Sequence, residues 1–266
     1  MSISSKNLSD FELVSENTSL SNGKVTLVGF GPGDPDLLTI AGEKAIAAAD
    51  VIFHDDLVDH AFLEQYRAEK VYVGKRRHCH SHEQDEINEM MRDAALAGKE
   101  VVRLKGGDPM VFAHGGEEIE YLKTNGIVVK SIPGVSTAMA AASLTQIPLT
   151  LRGIAKSVAF ISGHTSEVHL PNTDTLVCFM AGSTIHKIAA KAIAEGRNPQ
   201  TPVALVYNVS LPDQTETLST LELLSQNDEK YPTPVIIIIG NVISYRENSA
   251  NLLEIKKLTT QHSFAL

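Results

Sequence analysis

The chain has 266 residues but only two cysteines, Cys79 and Cys178, and no tryptophan. Two cysteines build no disulfide framework, and a reducing, cytoplasmic setting suits them. Long apolar runs are missing too: residues 235–239 form the longest candidate, far short of the roughly 20 residues that a membrane-spanning helix needs. No membrane partner is expected. Positive charge is scarce, with 23 Lys plus Arg against 32 Asp plus Glu and a net charge of −9 with His neutral. So acidic a chain is poorly suited to general nucleic-acid binding, which works by neutralising phosphates. A polyanionic ligand must instead meet basic side chains gathered locally. What is present is an ordinary globular balance, 43% hydrophobic and 21% charged, which excludes a disordered or fibrous chain.

Residues 1–22 are polar, rich in Ser and Asn, and lack the apolar centre of a signal peptide; they are expected to be a disordered tail. From Lys24 onward, short β-rich runs alternate with amphipathic stretches. Strands are expected at residues 25–28, 51–53, 71–73, 101–104 and 127–130, with helices over 37–49, 83–96 and about 116–124. Gly98 stands where a stop residue should follow the helix over 83–96. This alternation implies a mostly parallel sheet flanked by helices. Pro133-Gly134, the small-residue stretch 136–143 and Pro148 read as a hinge. Beyond it, strands are expected at 157–161, 175–179, 203–207 and 235–239, with helices near 185–195 and 218–225. Alternation over 214–218 suggests an antiparallel strand. The expected architecture is two α/β domains, 23–135 and 136–248, with a ligand cleft between them and a C-terminal tail over 249–266.

Three glycine-bearing loops each follow a strand. The first is Gly29-Phe-Gly31-Pro-Gly33-Asp34-Pro35, the second Lys105-Gly106-Gly107-Asp108-Pro109, and the third Pro133-Gly134-Val135-Ser136-Thr137. A dinucleotide fingerprint does not fit the first loop. Its third glycine would fall on Asp34, setting a carboxylate against the pyrophosphate, and Pro32 and Pro35 remove amide donors. Turn-forming alone would account for one such loop. Three of them at strand carboxyl ends put accessible backbone where open α/β sheets bind ligands.

These strings, with Val73-Gly-Lys-Arg76, Val101-Val-Arg-Leu-Lys-Gly-Gly-Asp-Pro109 and Pro148-Leu-Thr-Leu-Arg152, resemble the uroporphyrinogen-III C-methyltransferases of the tetrapyrrole methylase superfamily. The resemblance runs over about residues 24–246 and implies that superfamily's class III methyltransferase fold. It implies transfer of methyl groups from S-adenosylmethionine to carbons 2 and 7 of uroporphyrinogen III, giving precorrin-2 for sirohaem or corrinoid synthesis. S-adenosylhomocysteine would be the by-product, no metal would be needed, and the enzyme would be a homodimer. The implied donor contacts are Pro32, Gly106, Gly107, Asp108, Val111, Ser136, Thr137, Met180 and Val209. Asp55 matches the family's proton acceptor and Lys75 its proton donor.

The substrate is a polycarboxylate, so an acidic chain must present cations to it. The densest basic run is Lys75-Arg76-Arg77-His78-Cys79-His80-Ser81-His82, and Arg76, His80 and Arg152 are the candidate carboxylate contacts. Arg103 and Lys105 lie within another matched motif. The alternating His and Cys residues of that run do not have a usual structural-zinc spacing. Three departures from the family pattern stand out: His54 replaces a Tyr, His114 an Arg, and Leu151 a His. Neutral His114 would grip a carboxylate less firmly than Arg does. The competing readings are a methyltransferase acting on a later precorrin, an NAD(P)-dependent oxidoreductase, and a non-catalytic tetrapyrrole or metal carrier.

Overall fold

Among the described residues, ten short strands pair into two five-stranded sheets. The computed structural model describes residues 23–55, 58, 60–74, 84–164, 169–228 and 230–246. The expected tails, residues 1–22 and 249–266, lie outside them.

The first sheet is built from β1 (Lys24–Gly31), β2 (Val51–His54), β3 (Glu69–Tyr72), β4 (Val101–Gly106) and β5 (Val128–Ile132). Its order is β3-β2-β4-β1-β5, and every pairing is parallel, as the alternation of strands and helices implies. Between the strands run α1 (Ile40–Ala47), α2 (His60–Leu63), α3 (Gln84–Leu96) and α4 (Gly115–Thr124). The residues of β1 alternate between two cores, because successive strand side chains point to opposite faces. Val25 and Leu27 pack with Ile87 and Met91 of α3 and Leu122 of α4. Val28 and Phe30 pack on the other face with Ile46 of α1 and Leu63 of α2.

Helices α1 and α4 therefore cover opposite faces, although they follow the neighbouring strands β1 and β4. Their connections diverge at the carboxyl ends of those strands, which opens the switch-point crevice where doubly wound sheets take ligands. Helix α1 starts later than expected. A short 3-10 turn, Pro35–Leu37, comes first, and the Thr39 hydroxyl then caps the Gly42 amide at 3.1 Å. Gly98 ends α3 at φ +83°, a conformation that suits glycine.

The stretch expected to be a hinge contains a helix, α5 (Thr137–Thr145). Alanine is a strong helix former, and its small side chain lets the helix lie close against a sheet. Ala138, Ala140 and Ala141 are buried against Val177, Ala204, Val206, Ile236 and Ile238. These belong to the second sheet, formed by β6 (Val158–Ser162), β7 (Thr175–Phe179), β8 (Pro202–Tyr207), β9 (Thr215–Thr220) and β10 (Val235–Ile239). Helices α6 (Ile185–Ala194) and α7 (Leu221–Ser225) cover its other face. The order is β6-β7-β10-β8-β9.

Only β6 and β7 pair in parallel; the other three pairings are antiparallel. Sequence alternation led us to expect one reversed strand near 214–218, and β10 is reversed as well. A strand–helix–strand unit preserves direction, so the reversal between β8 and β9 passes through α7 to β10. Every residue of β10 is buried, which explains five consecutive branched side chains in an acidic chain. Ile237 sits on this central strand and is fully buried. Ile237→Ala is expected to cost about 2–5 kcal/mol of unfolding free energy, read as a lowered urea midpoint at unchanged m-value.

Candidate functional site

The loops that follow β1, β4 and β5 meet backbone to backbone. Gly107 N donates to Gly31 O at 2.7 Å, and Gly31 N donates back to Gly107 O at 3.2 Å. A Cβ on Gly29 would stand 2.5 Å from Gly134 N and 2.7 Å from Gly107 O. A Cβ on Gly134 would overlap the Gly107 carbonyl. Glycine is required at both positions by close approach, whatever their dihedral angles.

The Asp108 carboxylate ties two of these loops together. Its Oδ2 accepts from Gly134 N at 3.1 Å and its Oδ1 from Met110 N at 2.8 Å. The loop between β4 and α4 is held further by Val111 N donating to Asp108 O at 3.2 Å. Thr137 Oγ1 lies on the open side of Gly107, 3.4 Å from where a Cβ would be. Pro32 is buried in the first loop, Gly106 is half-buried in the second, and Ser136 precedes α5 in the third. The Ser136 hydroxyl is buried and has no hydrogen-bond partner. Such a group is costly to leave unmet. A ligand polar group reaching this cradle would satisfy it, so the residues present fit a bound donor.

Elements of the second sheet reach the same loops. Asp34 N donates to Ser210 Oγ at 3.0 Å, and a Cβ on Gly33 would stand 2.7 Å from Leu211 Cδ2. Phe112, from the loop after β4, packs on Phe179 at the end of β7 with ring centroids 5.0 Å apart. Met180, next in the chain, is 48% exposed and adopts φ +53°. Phe112 adopts φ +53° too, and His114, Asn208 and Ser210 are also left-handed. Bulky residues rarely accept this region, so strain is concentrated around the loops, as it often is at ligand sites. Val209 differs from the other candidate contacts. Its side chain is buried in the core beneath the second sheet, which leaves only its backbone for a ligand.

A buried charge network lies beside the cradle. Arg103 and Lys105 on β4 both bond Glu118 Oε1, at 3.3 and 2.7 Å, and Arg103 Nη2 reaches Asp55 Oδ2 at 3.7 Å. Burial, and next the Arg103 charge, push the Lys105 amine below its ordinary value, against the pull of Glu118. The two cations thus face inward rather than offering an open anion surface. Sequence reasoning missed Glu118. The signal was present, since Glu118 and Leu122 are one helical turn apart and both point into the core.

His54 is buried, with its ring edge-on to Tyr72 at 5.8 Å. His114 is exposed, and its Nδ1 lies 3.0 Å from Glu117 Oε2. Leu151 packs at the margin of the second core. Arg152 is exposed in the turn beside it, and among the described residues no hydrogen bond or ion pair ties it to the three loops. Lys75, Arg76 and His80 lie outside the described residues, as does the rest of the basic run. Among the described residues, no three His, Cys, Asp or Glu side chains gather as a metal site. Among them, no helix is long and apolar enough to cross a membrane. The Cys178 thiol is wholly buried and pushed up to about 12, so it is inert as a nucleophile.

Fold and loops together define an α/β protein whose glycine-bearing loops meet at the carboxyl edge of a parallel sheet. The sequence pattern of the tetrapyrrole (corrin/porphyrin) methylases matches residues 24–224, and the chain belongs to that family. By that family's description its members are methylases of tetrapyrroles, corrin or porphyrin. The uroporphyrin-III C-methyl transferase of Thermus thermophilus, complexed with S-adenosylhomocysteine, is 37% identical with a TM-score of 0.73, covering 84% of this chain and 100% of that one. A cobalt precorrin-4 methyltransferase of cobalamin biosynthesis is 26% identical with a TM-score of 0.72, covering 84% of this chain and 96% of that one. The siroheme synthase of Actinobacillus pleuropneumoniae serotype 7 is 41% identical over 253 residues, 91% of this chain and 52% of its own length. That of Pseudomonas fluorescens is 43% identical over 244 residues, 87% of this chain and 52% of its own length. The chain spans about half the length of these curated relatives.

Gly134→Ala is expected to force the β4 and β5 loops apart. Urea unfolding should show a loss of about 1–3 kcal/mol, and calorimetry should show roughly tenfold or weaker binding of S-adenosylhomocysteine.

Proposed function

We propose that this chain methylates uroporphyrinogen III at carbons 2 and 7, yielding precorrin-2 for sirohaem or corrinoid synthesis. The observation that carries the reading is the cradle of three abutting glycine loops around the unpartnered Ser136 hydroxyl. Its backbone and side chains suit a folded, zwitterionic donor better than a pyrophosphate, because the Gly31 and Gly107 amides are already engaged with each other. This argues against the nicotinamide reading. Likeness to a uroporphyrin-III C-methyl transferase over its whole length favours this substrate.

Bound S-adenosylmethionine supplies an electrophilic methyl group on its sulfonium. The protein's part is to position the reactants and exclude water. Pro32, Gly106, Gly107, Asp108, Val111, Ser136 and Thr137 hold the donor from the first sheet, and Met180 and the backbone of Val209 close over it from the second. Residues 23–135 and 136–248 form the two domains of this arrangement, with the macrocycle between them. Arg76, His80 and Arg152 take its carboxylates. Each methylation adds one methyl cation and releases one proton net. Lys75 protonates the macrocycle once and is reprotonated from solvent, while the Asp55 carboxylate takes two protons from it in turn and passes them to solvent. The active form is a cytoplasmic homodimer.

Anaerobic incubation with uroporphyrinogen III and methyl-labelled S-adenosylmethionine, followed by mass spectrometry, tests the substrate. Two added methyl groups on the macrocycle are expected. Absence of transfer, with S-adenosylhomocysteine still bound, would move the assignment to a later precorrin, the substrate class to which the precorrin-4 enzyme points. Asp55→Asn should lose roughly a hundredfold in kcat while binding both ligands, the size of a typical general-base contribution; full turnover in that variant would remove Asp55 from the base role. Light scattering should give twice the chain mass.

A further inference from the structure

Among the described residues Glu118 is the most deeply buried charge, with no exposed surface. Its Oε1 takes three donors: Lys105 Nζ at 2.7 Å, Gln84 Nε2 at 3.1 Å and Arg103 Nε at 3.3 Å. Its Oε2 is buried without a partner. Stability alone does not call for this arrangement, since apolar side chains of similar volume hold a helix to a sheet at least as well as buried ion pairs do. What the arrangement achieves is orientation.

The Arg103 guanidinium is constrained along its whole fork. Nε is held by Glu118, while Nη1 donates to Leu104 O at 3.0 Å and to Phe53 O at 3.4 Å. Nη2 is thereby directed at Asp55 Oδ2, 3.7 Å away. Phe53 and Asp55 leave the sheet on the same strand end, so Arg103 grips both the main chain and the carboxylate of the β2 exit. Among the described residues, Arg103 meets this carboxylate and the Lys105 charge acts on it, Glu118 from α4 joins both cations, neutral Gln84 from α3 donates to Glu118, and the His54 ring sets Nδ1 3.5 Å from the Asp55 main-chain O.

We propose that Glu118 is a positioning residue for proton transfer: it locks the Arg103 guanidinium in the orientation that presents Nη2 to Asp55, and it offsets the two cations that would otherwise dominate that carboxylate. The inference rests on the reading of Asp55 as the base. It joins the helix that follows the second donor loop to the proton-transfer step. It also accounts for a glutamate buried at the start of α4, where solvent would serve helix capping equally well.

Three variants test it with uroporphyrinogen III and S-adenosylmethionine: Glu118→Gln, Arg103→Lys and Asp55→Asn. Glu118→Gln removes the negative charge that offsets both cations beside Asp55. Turnover should fall roughly tenfold or more, S-adenosylhomocysteine affinity should stay within about threefold, and the acid limb of the kcat profile should move to lower pH. In Arg103→Lys, the ammonium keeps Glu118 but lacks the fork that reaches Asp55, so the acid limb should move to higher pH. A merely structural role would lower turnover and donor binding together and leave the limb in place. That outcome, or a profile unchanged in both variants, overturns the proposal. If Glu118→Gln does not fold, Arg103→Lys decides by the direction of its limb. Full turnover in Asp55→Asn would instead defeat the base reading, whatever the other two variants show.

Discussion

Where β1, β4 and β5 end, three backbones come so close that a single methyl group on Gly29 or Gly134 would not fit between them. That proximity depends on glycine, on the mutual amide–carbonyl exchange of Gly31 and Gly107, and on the Asp108 carboxylate that binds the third loop to the second. The consequences spread outward from it. The loops form a wall of accessible main chain at a switch point, Ser136 is delivered there unpartnered, and α5 starts at once and packs beneath the second sheet. A donor gripped by such a wall needs few charged side chains, which suits an acidic protein.

Charge is handled in two ways. Arg103 and Lys105, which a sequence reading sets among the cations available for a polycarboxylate, are turned inward onto Glu118. Their work is internal, fixing the end of β2 and the carboxylate of Asp55. On the proposed function, recognition of the substrate's carboxylates is assigned to Arg152, exposed in its turn, and to the basic run that begins at Lys75. His114 is paired with Glu117 at the start of α4, so a position that carries a permanent charge in the family pattern here holds a titratable one.

Much of the fold was legible in the chain. Strand runs such as 101–104 and 235–239 were found within a residue or two of their ends, because branched apolar runs between turn residues leave few alternatives. The helix over 137–145 was not, since alanine, serine and threonine give no amphipathic stripe; only packing against the second sheet makes it a helix with a buried face. The short helix over 60–63 carried too few residues to show a period. The three glycine loops were legible from their place after strands, Asp108 was marked only by family resemblance, and Glu118 was passed over although it lies one helical turn before Leu122.

The sequence by itself determined the class of the protein: where the strands lie, that glycine-rich loops follow them, and which family strings they carry. These are local properties, set by side-chain shape and backbone freedom within a few residues. Only the tertiary structure decided which way each element faces and what it meets. The direction of β10 follows from a reversal two elements earlier, and the contact of Gly29 with Gly134 joins residues a hundred positions apart. The inward turn of Arg103 and Lys105 onto Glu118 belongs to the same level, because desolvation and charge pairing act between elements that meet only after the sheet has formed.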